Sequence, residues 1–167
     1  MKIVIAGGGL SPLYEVAFAK ALRNLGHEVM IFATSNYING LSGNLSLLLP
    51  FSNLTLFRLN QDLLHTIKEH KPDLFMSWRA TYLFPSTIQA INSLGVLTVS
   101  YNNDDPFKRK VFVNARWHQY FEWFWYLRGL RFYQRNFLTR TQVRKGSASL
   151  SLLPQESPST ESMLPAA

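Results

Sequence analysis

The sequence predicts an α/β protein built on a doubly wound, mostly parallel sheet. Three observations predict it. Short apolar, branched runs recur along the chain as "KIVIA", "EVMIFA", "DLFMSW" and "VLTVSY", each of strand length. Segments with helical spacing and helix start and stop residues separate them. At 167 residues with 47% hydrophobic side chains, the chain is long enough for one domain with a real core and too short for two of ordinary size.

"KIVIA" is bounded by Gly7, Gly8 and Gly9 and reads as a buried strand. Ser11 then offers a helix cap, Pro12 fits a first helical position, and Glu15 lies near the positive end of the helix dipole. Ala17, Ala21, Leu22 and Leu25 supply the apolar face until Gly26 ends the helix. "EVMIFA" is the second strand, followed by an Asn-, Gly- and Ser-rich loop from Ser35 to Asn53. "LTLFRL" reads as a third strand, and "QDLLHTIKEH" as a helix stopped by Pro72. "DLFMSW" is the fourth strand, "PSTIQAINSL" a helix entered through Pro85 and closed by Gly95, and "VLTVSY" the fifth strand.

Strands alternating with helices imply parallel pairing through right-handed crossovers, with helices on both faces of a Rossmann-like sheet. Such sheets bind ligands beyond the carboxyl ends of their strands. Gly7, Gly8, Gly9, Thr34, Ser35, Trp78, Arg79, Asn102, Asn103, Asp104 and Asp105 all fall at that edge.

Charge divides the chain. Residues 1–105 carry seven basic and seven acidic side chains, whereas 106–145 carry ten basic against the single acid Glu122. That second segment, "VFVNARWHQYFEWFWYLRGLRFYQRNF", is dense in aromatics, with a helix expected through Trp117–Tyr126. From Thr139 the chain becomes rich in Ser, Pro and Ala. We therefore expect a Rossmann-like domain over 1–137 and a disordered tail over 138–167. Cysteine is absent, which excludes disulfides and thiolate chemistry. The apolar start of "MKIVIAGGG" is shorter than a signal segment, so the expected compartment is the cytoplasm.

Several chemistries are disfavoured by detail. A dinucleotide fingerprint would place a third glycine where Pro12 stands, and the second strand ends in Ala33-Thr34-Ser35 without a ribose-binding acid. The glycines then serve either a ligand or simply a tight turn. No Lys-Ser/Thr follows them, as a P-loop requires. Asp104 and Asp105 serve either the turn set by Pro106 or a ligand facing it. Two adjacent acids without a nearby His or third acid do not argue for a metal. His65 and His70 stand five apart on a helix and share no face, while His27 reads as structural and His118, among aromatics, as packed or at an interface rather than catalytic.

Two stretches carry a resemblance. "MKIVIAGGG...ALRNLGHEV" is similar to the opening of many GT-B glycosyltransferases. "KPDLFMSWRATYLFPSTIQAINSLGVLTVSYNNDDPF" resembles, more narrowly, the CgeB-like (spore maturation protein type) glycosyltransferases. The resemblance covers roughly residues 1–137. It implies transfer of a sugar from a nucleotide-sugar donor to a glycan or lipid-linked acceptor, without a cofactor or bound metal. It places this chain on the acceptor side, with Gly7, Gly8, Gly9, Trp78, Arg79, Asn102, Asn103, Asp104 and Asp105 lining the cleft and Asp104 or Asp105 as catalytic candidates. A second Rossmann half of such an enzyme has no counterpart in the sequence, so the chain alone is expected to be inactive or nearly so.

The alternative is a non-catalytic Rossmann-like binding module. It would dock on an anionic membrane surface or a partner protein through the basic, aromatic segment from Lys108 to Lys145. Nucleic acid is not expected as a partner, because no recognised binding motif accompanies the charge.

Overall fold

The computed structural model describes residues 1–8, 14–38, 54–79, 82–103 and 124–138. Five strands form one parallel sheet: β1 (Lys2–Gly7), β2 (Glu28–Ala33), β3 (Leu74–Trp78), β4 (Leu97–Asn102) and β5 (Arg135–Leu138), in the order β2-β1-β3-β4-β5. Helices α1 (Glu15–Asn24), α2 (Ser35–Ile38), α3 (Leu54–His70) and α4 (Pro85–Ser93) connect or flank the first four strands. Helical residues 124–129 and a 3-10 turn at Leu130–Phe132 lead into β5. The fold is the doubly wound, Rossmann-like α/β sheet that the sequence predicts.

Each face of the sheet has its own core. Ile3, Ile5, Val29 and Met76 pack under Ala19 of α1, with Phe18 and Leu22 beside them. On the opposite face Val4, Ala6, Phe32 and Phe75 meet Leu59, Leu63 and Ile67 of α3 and Ile88 and Ile91 of α4. Adjacent strand residues thus feed opposite cores, as a twofold side-chain alternation requires.

Helix ends follow their local chemistry. Gly26 sits at φ +83 just past α1. Its N–H donates to the Arg23 carbonyl and the His27 N–H to that of Leu22, the paired bonds of a Schellman ending. Gly95, at φ +78, closes α4 in the same left-handed conformation. Pro85 occupies the start of α4, where its missing N–H removes no helical bond. Ser11 and Pro12 lie outside the described residues.

Two expectations are corrected. "LTLFRL" is not a strand: it is the first part of α3, which runs unbroken from Leu54 to His70. Its buried side chains are Leu56, Leu59, Asn60, Leu63 and Ile67, a helical stripe, while Leu54 and Phe57 stand 73% and 52% exposed. The apparent alternation at its start was short enough to fit either period. The region read as loop from Ser35 begins with the single-turn helix α2.

The fifth strand of the sheet is β5, not a strand at 54–59. Arg135-Asn136-Phe137-Leu138 pairs with Val99-Ser100-Tyr101-Asn102. The Asn92 amide fastens its approach by donating to the Phe132 carbonyl at 2.7 Å, and the Thr98 hydroxyl donates to Asn92 Oδ1 at 2.7 Å. Of the expected aromatic helix, 124–129 is helical and the remainder lies outside the described residues, as do 139–167.

Candidate functional site

Strand order reverses direction between β1 and β3, and the crevice beyond the carboxyl ends at such a reversal is where open parallel sheets bind ligands. It brings Gly7, at the end of β1, beside Trp78, at the end of β3, with Gly8 and Arg79 next in the chain on each side. Thr34, just past β2, closes the turn from the other side. Its N–H and its hydroxyl both donate to the Gly7 carbonyl, at 2.8 and 3.0 Å.

The turn is packed from below by α1. Gly8 N–H donates to Glu15 Oε1 at 3.0 Å. Glu15 is only 7% exposed, and its Oε2 has no hydrogen-bond partner. A methyl group on Gly7 would meet Glu15 Cγ at 3.0 Å, Glu15 Oε1 at 3.1 Å and Trp78 Cβ at 3.3 Å. Glycine is therefore required here by close approach, since Gly7 has no left-handed φ. Gly7→Ala is expected to destabilise the fold by about 1–3 kcal/mol through overpacking. A lowered urea midpoint with unchanged slope would show it.

Trp78 lies on the α1 face of the sheet, with ring centroids 5.1 Å from Phe18 and 4.4 Å from Tyr101. The three rings make a partly exposed aromatic wall beside the glycine turn. Arg79 follows with φ +49, a conformation that costs a side-chain-bearing residue about 1–2 kcal/mol. Its N–H donates to the Tyr101 carbonyl at 2.9 Å, so pairing across β3 and β4 holds the strained residue in place. Arg79→Gly is expected to raise stability by about 1 kcal/mol while deleting the edge guanidinium. A variant less stable than the parent in chemical unfolding would contradict that expectation.

Asn102 and Asn103 part company at the end of β4. Asn103 is exposed, whereas Asn102 is fully buried, with its side chain in the hydrogen-bonding surroundings of Tyr126. The Ser100 hydroxyl and Tyr126 OH lie 2.9 Å apart. Asn102 thus belongs to a buried polar seam that ties β4 to residues 124–129. Gly9, Asp104 and Asp105 lie outside the described residues.

Tyrosines give the protein an alkaline limit. Burial, helped by a hydrogen bond donated to Asp62 Oδ2 at 2.9 Å and by the negative charge of that carboxylate, pushes Tyr37 from 10.0 to about 12. Burial also raises Tyr126 against the opposing hydrogen bonds of Ser100 and Asn102, and raises the fully buried Tyr133. The unfolded chain releases these protons first, so their contribution is intact below the unfolded value near 10. It is lost as pH climbs toward the folded values. The thermal midpoint should hold to about pH 9 and fall steadily between about pH 10 and 12; a flat profile there would contradict this.

Among the described residues no cluster of three or more His, Asp or Glu side chains could hold a metal ion, and no helix is long and apolar enough to cross a membrane. His65 Nε2 lies 3.3 Å from Oε1 of its helical neighbour Glu69, on the exposed side of α3. Sequence reasoning missed the central part of Glu15. Its place at a helix start was legible, but burial beneath Gly7 and Gly8 depends on how α1 docks on the sheet. No protein-family model, curated protein or solved structure matches the chain.

Proposed function

We propose that this chain is the acceptor-side domain of a GT-B glycosyltransferase of the CgeB-like type. In this reading it holds the glycan or lipid-linked acceptor while a nucleotide-sugar donor is bound mainly by a second Rossmann half. The observation that carries the reading is the meeting of the resemblance's stretches at one place. Gly7-Gly8, Trp78-Arg79 and exposed Asn103 all stand at the carboxyl ends of adjacent strands of the parallel sheet. An aromatic wall next to a cation and amide groups suits a polyhydroxylated ligand, with rings to cover its apolar faces and polar groups to fix its orientation.

A glycan array probed with the labelled chain tests the reading. The expected result is binding to a restricted set of glycans, lost in Trp78→Ala and Arg79→Ala variants that remain folded. The chain alone should turn over no nucleotide sugar. Binding to anionic vesicles with a blank array would instead favour docking on a membrane surface. Micromolar affinity for NAD(H), about 8 kcal/mol of binding free energy, would replace the reading with that of a dinucleotide enzyme.

A further inference from the structure

The end of the sheet formed by β5 carries a charge pattern that the crevice at β1 and β3 does not use. Residues 124–138 contain Arg128, Arg131 and Arg135 and no Asp or Glu. All three arginines are exposed, and among the described residues none of them forms an ion pair. We propose that this end of the sheet is a docking surface for an anionic lipid bilayer, with the three guanidinium groups taking headgroup oxygens and Phe137 entering the headgroup layer. Phe137 is 41% exposed. It stands two residues from Arg135 on β5, so both side chains leave the strand on the same face of the sheet.

The arginines are held at the surface rather than trailing from it. The Arg128 guanidinium lies 4.2 Å from the centre of the Phe124 ring and that of Arg131 lies 4.7 Å from the centre of the Phe132 ring. Arg135 Nη1 donates to the Gln134 carbonyl at 3.1 Å. A stacked guanidinium keeps its N–H edge open to oxygen acceptors, and a side chain already placed loses less freedom on binding. The same stacking favours a bilayer over a nucleic acid as the occupant. Bases need open ring faces to stack on, whereas Phe124 also meets the Trp125 ring edge-on at 5.0 Å and Phe132 packs against the core that α3 and α4 close. What stays available is the charge of separate arginines beside an exposed aromatic ring, which suits a surface of many anions with an apolar layer beneath it. Docking of this kind goes beyond the acceptor reading and is independent of whether the crevice at β1 and β3 holds a glycan.

Sedimentation of the full chain with sucrose-loaded vesicles is the test, comparing phosphatidylcholine mixed with phosphatidylserine against phosphatidylcholine alone, neither carrying a glycan. The mixed vesicles should bind the chain and the neutral ones should not, and binding should weaken as salt is raised. Arg128→Gln, Arg131→Gln and Arg135→Gln should each lower partitioning by about fivefold, and the triple variant by on the order of a hundredfold. Lys20→Gln removes the same charge from an exposed position of α1, which packs over β1 and β2, and should leave partitioning nearly unchanged. Thermal midpoints establish folding of each variant, and the single variants carry the comparison if the triple variant does not fold. Glycerophosphoserine, the soluble headgroup, should not displace the chain from the vesicles. The proposal is overturned by a chain that ignores the mixed vesicles or binds neutral ones equally, by arginine variants that bind undiminished, or by displacement with the soluble headgroup. Binding of a single-stranded RNA without binding of vesicles would overturn it in favour of a nucleic acid.

Discussion

Phe75→Ala should be the most damaging single core substitution, removing about 3–5 kcal/mol of a total that for domains of this kind is about 5–15 kcal/mol. Phe75 is fully buried at the centre of the sheet, on β3 between β1 and β4. It belongs to the core that α3 and α4 close, together with Leu63, Ile67, Ile88 and Ile91. Backbone pairing on both sides holds β3 in place, so neighbouring side chains can collapse into the vacated volume only in part. Urea unfolding should show the midpoint falling sharply with little change in slope. Phe57→Ala is the matched control: the same change at a residue 52% exposed should move stability by no more than about 0.5 kcal/mol. Equal losses at both positions would mean that the core is not where the structure puts it.

Asn60→Ala should follow, at about 2–4 kcal/mol, as three hydrogen bonds to backbone groups are lost in a poorly hydrated place. Asn60 occupies a core position of α3 and is 3% exposed. Its amide donates to the Leu56 carbonyl at 2.8 Å and to the Tyr82 carbonyl at 3.0 Å, and its Oδ1 accepts the Phe84 N–H at 2.8 Å. One side chain thus fastens the segment that enters α4 onto the middle of α3. Asn60→Leu, with the same number and branching of side-chain heavy atoms, should not rescue it, because the loss is of hydrogen bonds rather than packing. Hydrogen exchange at the Phe84 amide offers a local readout, with protection expected to fall in both variants. Full stability in Asn60→Leu would show that water or rearrangement satisfies these groups.

Both substitutions probe a core whose outline was legible in the chain. β1 to β4 were visible because their residues form uninterrupted apolar runs, and α1 and α4 because Gly26, Gly95 and Pro85 mark their ends. β5 was not. Arg135 and Asn136 give it no apolar run, and pairing with β4 together with the Asn92 bridge defines it. "LTLFRL" was misread because six residues cannot separate a period of 2 from one of 3.6 when Leu, Phe and Leu recur within them. Only the continuation through Leu63 and Ile67 shows the helical stripe.

At the candidate site, topology placed Gly7, Gly8, Trp78 and Arg79 together as the strand order implied. Side-chain direction could not be read so simply. Asn102 and Asn103 are neighbours in sequence, yet one is sealed against the Tyr126 side of the sheet and the other stands exposed, the outcome of alternation at a strand end. Glu15 shows the same limit: a residue type and a helix position were given, but a buried carboxylate oxygen is created only by tertiary packing.

The most direct measurement is an amide and indole chemical-shift map of the isotopically labelled full chain, titrated with the glycan that binds most tightly on the array. Binding of an acceptor at the β1–β3 crevice predicts shifts at Gly7, Gly8, the Trp78 indole, Arg79 and Asn103, with Gly26 and Gly95 at the opposite edge unmoved. Shifts gathered at the opposite edge, or none at the carboxyl ends of β1 and β3, would contradict the proposal that an acceptor binds in this crevice.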